Sequence, residues 1–185
     1  MILVHRGGRY YRVADPLWID PLDPRYSKLY GGRWTPRGEF AGLYLCATAD
    51  VAAANARRQH VGRAIGLFDL RPDARPHLVD VEVSDLVVAD AVSDEGVADL
   101  RLRPSYPAAC EHAVCQAIAR EVHALGADGI AGRSAAEATR TSWIGEELTV
   151  FESAVSKVMS VAIRRFDEWY PDATPGAGDI SPLIA

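Results

Sequence analysis

No stretch of about 18 consecutive apolar residues occurs in this 185-residue chain, and Met1-Ile2-Leu3-Val4-His5-Arg6 is too short to form the core of a signal peptide. Neither a membrane helix nor secretion is expected, and the sequence points to the cytoplasm. Cysteine is scarce: three residues without regular spacing provide no disulfide framework, which fits a reducing compartment. Cys110 and Cys115 flank His112, yet Cys110 and His112 would diverge on a helix and no second ligand pair follows, so no metal is expected. The plainer reading of these cysteines is small apolar side chains facing the core. A basic excess is also missing. The net charge of −5 disfavours nonspecific binding to nucleic acid or to an anionic membrane. There is no internal repeat and no low-complexity domain, and 185 residues at 49% hydrophobic suit one packed domain.

What is present begins with Gly31-Gly32-Arg33-Trp34-Thr35-Pro36. Glycine permits close backbone approach to a ligand, arginine offers a planar fork of donors, and proline stiffens the exit, a combination suited to an anion. The alternative is a surface turn with Trp34 buried. Charge is unevenly distributed: residues 1–63 hold ten Lys/Arg against five acids, whereas the rest hold ten against twenty. Such asymmetry suits a cleft that attracts a small polyanion on an otherwise acidic surface.

Tyr10-Tyr11-Arg12-Val13 and Gly42-Leu43-Tyr44-Leu45 read as strands, and an alanine-rich helix, capped by Thr48 or Asp50, should run to about Gly62. Between them Asp15-Pro16, Asp20-Pro21 and Asp23-Pro24 exclude a helix before Lys28 and suggest a flap beside a cleft. The alternation of residues 77–83 predicts a half-buried strand, with Leu86-Val87-Val88-Ala89 pairing near it. Ser93 can cap a short helix to about Leu100, and residues 107–125 form the longest helical pattern, stopped by Gly126. Residues 154–163 suit strand or helix, and the tail from Pro171 reads as irregular, giving a domain over 1–170 and an extension over 171–185.

The order of these motifs resembles the RES-domain family, named for an arginine, a glutamate and a serine. The resemblance rests on Tyr11-Arg12, the Gly-Gly-Arg-Trp segment, Leu43-Tyr44 with its helix, Asp128-Gly129-Ile130 leading to Arg133-Ser134-Ala135, and Glu147-Leu148-Thr149-Val150-Phe151. It implies an α+β single domain similar to the ADP-ribosyltransferase and diphtheria-toxin type, with small sheets, flanking helices and a ligand cleft. It also implies an enzyme that consumes NAD by phosphorolysis or hydrolysis, as the toxin of a bacterial toxin–antitoxin pair. NAD would be the substrate, with no further cofactor and no metal. The implied partner is an antitoxin with an Xre-like helix-turn-helix domain, and homo-oligomers stay open.

Carried onto this sequence, the resemblance makes Arg12 and Arg33 the phosphate clamps, with Gly32 and Trp34 beside them. Tyr44 would stack or hydrogen-bond at the nicotinamide end, and Ser134 would position the substrate. The chain departs from the family at Asn55, which stands where members carry Glu. An amide can bond a ribose hydroxyl but cannot stabilise a developing cation, a loss on the order of 3 kcal/mol. Three readings follow: another acid replaces the glutamate, with Glu146, Glu147, Glu111 and Glu39 as candidates; the enzyme is slow; or the fold only binds a nucleotide or an antitoxin. An ADP-ribosyltransferase is the alternative within enzymology.

Overall fold

The computed structural model describes residues 1–170, so the expected irregular tail over 171–185 lies outside the described residues. The chain runs β1 (Leu3–Ala14), α1 (Arg25–Tyr30), β2 (Gly42–Cys46), α2 (Ala49–Arg58), β3 (His77–Ala91), α3 (Asp94–Asp99), α4 (His112–Ala124), β4 (Gly129–Arg133), β5 (Glu146–Phe151), β6 (Val158–Arg164) and α5 (Phe166–Trp169). This is the expected α+β class. The described strands form one six-stranded sheet in the order β1-β2-β5-β4-β3-β6 rather than several small ones, and β1 also pairs with β3.

That additional pairing closes β1, β2, β5, β4 and β3 into a ring from which β6 extends. The physical reason is the length of β3: one edge carries β1 throughout, while the other is shared by β6 at residues 78–83 and by β4 at residues 88–91. Leu43, Leu45, Val79, Val81, Val88, Ala131, Leu148 and Val150, contributed by four of the ring strands, pack with Tyr10 of β1 as the inner core. Two outer clusters cover the opposite face, one under α4 around Trp34, Tyr106, Ile118 and Phe151, the other under α2 and α5.

The sequence reading treated residues 77–83 and 86–89 as two strands lying side by side; they are one strand, and both pair with β1. The register slips between Arg6 and Gly8. Ser84 and Asp85 of β3 lie opposite Gly7 alone, so the extra residue is a bulge on β3; Gly8 beside it has φ +92°, a conformation open to glycine at little cost, and the pairing resumes on both sides.

The long helix starts at His112 rather than 107, because Ala109 lies in the left-handed region at φ 54° and the regular turns begin only after Glu111. The alanine-rich helix ends at Arg58, four residues before the expected Gly62, while Thr48 caps it by accepting from the Val51 N–H at 3.2 Å. Residues 154–163, left open between strand and helix, divide into a 3-10 turn followed by β6. No helix was expected before Lys28, but α1 starts at Arg25, because Pro24 stands at its N-cap, where the missing N–H costs no helical hydrogen bond.

Candidate active site

Strand alternation decides which acids face the site. On β5, Glu146 points to the inner side, where its carboxylate takes the Arg6 Nε–H at 2.9 and 3.0 Å and the Tyr10 hydroxyl at 3.1 Å. Glu147 points the other way, as successive strand residues must. Its neighbours across the ladder are Cys46 of β2 and Gly132 of β4. Ser134, fully buried just past β4, donates its hydroxyl to Glu147 Oε1 at 2.6 Å. Asn55, one turn beyond Val51 on α2, donates its amide to the same oxygen at 2.9 Å and back-bonds to the Val51 carbonyl at 3.2 Å.

Helix α2 can lie close enough for this because its buried face is Val51, Ala52, Ala53 and Ala56, mostly methyl groups. The structure therefore joins Asn55, Ser134 and Glu147 in one cluster. Oε2 of Glu147 accepts no hydrogen bond from the described residues and remains open. The other candidate acids are placed elsewhere: Glu39 pairs with Arg120 at 2.7 Å, and Glu111 sits at the start of α4.

The turn carrying Arg33 is fixed from three sides. Gly32 N–H donates to the Thr35 carbonyl at 2.9 Å, the Gly32 carbonyl accepts from Gln116 Nε2 of α4 at 2.7 Å, and the Trp34 N–H donates to the Tyr44 hydroxyl at 3.0 Å. Tyr44 and Thr35 share a further hydroxyl–hydroxyl bond of 2.9 Å. Burial, against the opposing bonds from Thr35 and Trp34, pushes the Tyr44 phenol up to about 12, so it stays neutral. As placed, Tyr44 supports the turn with its polar end.

Trp34 was expected beside the ligand. Instead it is 3% exposed and packs against Tyr106 with centroids 6.1 Å apart, because the turn's exit runs into the outer core. It anchors the loop.

A side chain at residue 32 has no room. A Cβ there would lie 2.4 Å from the Tyr44 hydroxyl and 2.7 Å from Thr35 Oγ1. Gly32→Ala is expected to cost about 1–3 kcal/mol through overpacking. Adding Tyr44→Phe should recover part of that loss by removing the nearer of those two oxygens. Thermal melts of the single and double variants check this; an unchanged melting temperature in Gly32→Ala would show that the turn is free to move.

Arg33 and Arg12 differ in setting. Arg33 Nη1 is buried with no partner, and so is the hydroxyl of Tyr106, which faces Arg33. Burial raises the Tyr106 phenol strongly, with Arg33 opposing. Burial and then Arg33 hold His112 below its usual range. Tyr44 and Tyr106 each feel both Arg33 and Glu147, so the cation and the carboxylate share the neighbourhood of these phenols.

Arg12 is 8% exposed, lies under the ring of Trp18 at 5.2 Å, and reaches only the Asp23 carbonyl at a long 3.5 Å. Its Nε is buried without a partner. Burial lowers the guanidinium to about 10, against Asp20 and Asp23 of the flap, so it is charged at neutral pH. No hydrogen bond joins Arg12 to Glu147 or Ser134 among the described residues. Arg12 and Glu147 share the neighbourhood of Cys46, whose thiol is raised by burial and by Glu147 and feels Arg12.

Beside Asn55 and Ser134, a cavity of about 890 Å³ opens between the end of α2 and the loops over 60–69 and 135–138. Ala54, Arg57, Arg58, Arg63 and Ala135 line it, and Arg57 is paired with Glu137 at 2.5 Å. None of Arg12, Arg33, Tyr44 and Glu147 lies on its wall. Sequence reasoning did not find Tyr106 or Gln116, which belong to no local motif and matter only through contacts across the fold, and it gave Thr35 of the arginine turn no role. Among the described residues no group of three or more His, Cys, Asp or Glu side chains is arranged to hold a metal, and no helix is long and apolar enough to cross a membrane.

A chain in the crystal structure of the M. tuberculosis MbcT-MbcA toxin-antitoxin complex has the same fold, with a TM-score of 0.74 at 19% identity, over 88% of this chain and 86% of that one. No curated protein shows a significant match. The family model for the RES domain matches residues 9–171, from the second half of β1 through α5 and including every residue of the Asn55–Ser134–Glu147 cluster, so this chain belongs to the RES-domain family.

Proposed function

We propose that the protein is an NAD-consuming enzyme in which Glu147 supplies the carboxylate that family members carry at the position of Asn55. The observation that carries this reading is the Glu147 side chain, held at Oε1 by Ser134 and Asn55 with Oε2 open. Cleaving nicotinamide from NAD lengthens the glycosidic bond and builds positive charge on the ribose. A carboxylate fixed beforehand by two donors stabilises that charge without reorganising during the step. Nicotinamide leaves with the bonding electron pair, and phosphate or water then bonds to the ribose carbon.

Arg33, half-buried on its turn, binds a phosphate of the dinucleotide through its guanidinium, whose Nη1 lies inward by Tyr106. Arg12, enclosed by Trp18 and the flap, serves as a second clamp once the flap gives it access. Gly32 and Trp34 hold the Arg33 turn, Tyr44 supports it, and Ser134 and Asn55 orient the carboxylate. The family resemblance and the shared fold support a toxin partnered by an antitoxin of the helix-turn-helix type and acting in the cytoplasm. The kinship to ADP-ribosyltransferase and diphtheria-toxin folds belongs to the same proposal, as do the absence of a further cofactor and the expected domain limits of 1–170.

The test is time-resolved NAD loss with product identification. Phosphorolysis yields ADP-ribose 1″-phosphate, hydrolysis yields ADP-ribose, and transfer labels an acceptor; intact NAD at high enzyme concentration would refute the enzymatic reading. Arg33→Ala is expected to weaken NAD binding by about 1.5–3 kcal/mol while leaving the fold intact, because it removes a charge-assisted contact and an unsatisfied buried group together. Calorimetric titration beside a thermal melt measures both; unaltered affinity removes Arg33 from the site.

A further inference from the structure

The Sγ atoms of Cys110 and Cys115 are 3.3 Å apart, while Cys46, the third cysteine, is buried on another part of the sheet. Cys110 is half-buried on the wall of a 290 Å³ cavity that it shares with Arg103, Tyr106 and Glu111, and Cys115 is completely enclosed in the first turn of α4. One thiol is reachable and the other is held against it, the arrangement of an attacking cysteine with a resolving partner. The hydrogen bond from Cys115, with Arg33 and Arg103 nearby, holds Cys110 below the ordinary thiol range against its burial, and the bond to Cys110 followed by burial raises Cys115. Cys110 is thus the thiolate-forming member.

We propose that Cys110 and Cys115 form an oxidisable pair, converted by a peroxide to a reversible disulfide that loosens the Arg33 turn. In the first step the Cys110 thiolate attacks one oxygen of hydrogen peroxide; an S–O bond forms, the O–O bond breaks, and the departing hydroxide takes a proton to become water. The Cys115 sulfur then attacks Cys110, forming S–S and breaking S–O, and its proton leaves with the second hydroxide as water. Two thiols are oxidised and one peroxide is reduced.

Closing the gap from 3.3 Å to the roughly 2.05 Å of a disulfide draws Cys110 and the first turn of α4 together. The next residue, Gln116, donates to the Gly32 carbonyl at 2.7 Å, so the same movement pulls on the turn that presents Arg33. Only this second half of the proposal rests on the NAD reading.

Trypsin should release both cysteines in one peptide, residues 102–120, because Arg103 precedes a proline and resists cleavage. After stoichiometric peroxide on the folded protein, that peptide is expected two hydrogens lighter, restored by a thiol reductant, with Cys46 still alkylatable. Cys110→Ser should abolish the change, as should Cys115→Ser if the core tolerates it. A peptide that only gains oxygen, or one that loses hydrogens equally well in unfolded protein alone, overturns the pair. Calorimetric titration with NAD should show at least fivefold weaker binding by the oxidised wild type and no change on peroxide treatment of Cys110→Ser. Equal affinity of both forms overturns the coupling, and failure of reduced protein to bind NAD at all overturns the NAD reading while leaving the mass result to decide the disulfide.

Discussion

Glu147→Gln is expected to lower NAD turnover by about a hundredfold, with little change in the melting temperature. The substitution keeps the length of the side chain, and its amide can still meet Ser134 and Asn55, which donate to Oε1 at 2.6 and 2.9 Å. What it removes is the negative charge opposite the developing ribosyl cation, a loss of about 3 kcal/mol of transition-state stabilisation. The effect should fall on kcat more than on KM, because the charge matters only as the bond lengthens. Steady-state kinetics beside a melt decide the matter. Full turnover in a folded Glu147→Gln protein would remove this carboxylate from the chemistry, and Glu146→Gln is the control, since Glu146 is committed to Arg6 and Tyr10 on the inner side of the sheet.

Asn55→Glu should lower both stability and turnover, although it restores the residue type the family carries there. On sequence alone this substitution looks like a repair. The structure reverses that expectation, because the Asn55 amide donates to Glu147 Oε1 at 2.9 Å and a second carboxylate would face the first across that distance. Two carboxylates so close cannot both ionise freely, and one is forced to take up a proton or turn away. The reciprocal variant, Asn55→Glu with Glu147→Gln, keeps one acid and one amide in the pair and should recover most of the lost turnover. The comparison is a double-mutant cycle in kcat and melting temperature, in which the two substitutions are strongly non-additive. If Asn55→Glu alone raises turnover, the acid belongs on α2 and Glu147 is a bystander; if the reciprocal variant folds but is inert, the acid must come from β5.

Local chemistry made much of the molecule legible. The strand at residues 77–83 followed from alternation, the α2 start from Thr48, and the tight Arg33 turn from Gly31 and Gly32, since each depends on residues adjacent in the chain. The start of α4 and the continuity of β3 were not legible. They depend on the left-handed backbone at Ala109 and on a bulge at Ser84 and Asp85 on whose two sides β3 stays paired with β1.

By itself the sequence determined the family, the α+β class, the arginine-bearing turn and the fact that Asn55 leaves the expected charge missing, because these lie in short motifs and their order. It also named Glu147, but only as one acid among four. Tertiary structure alone decided between them: alternation on β5 sends Glu146 to Arg6 and Glu147 to Ser134 and Asn55, and which side of β5 faces α2 is set by pairing with β2 and β4. A carboxylate's partners, and hence its role, come from residues 13 and 92 positions away, a separation over which no local pattern carries information.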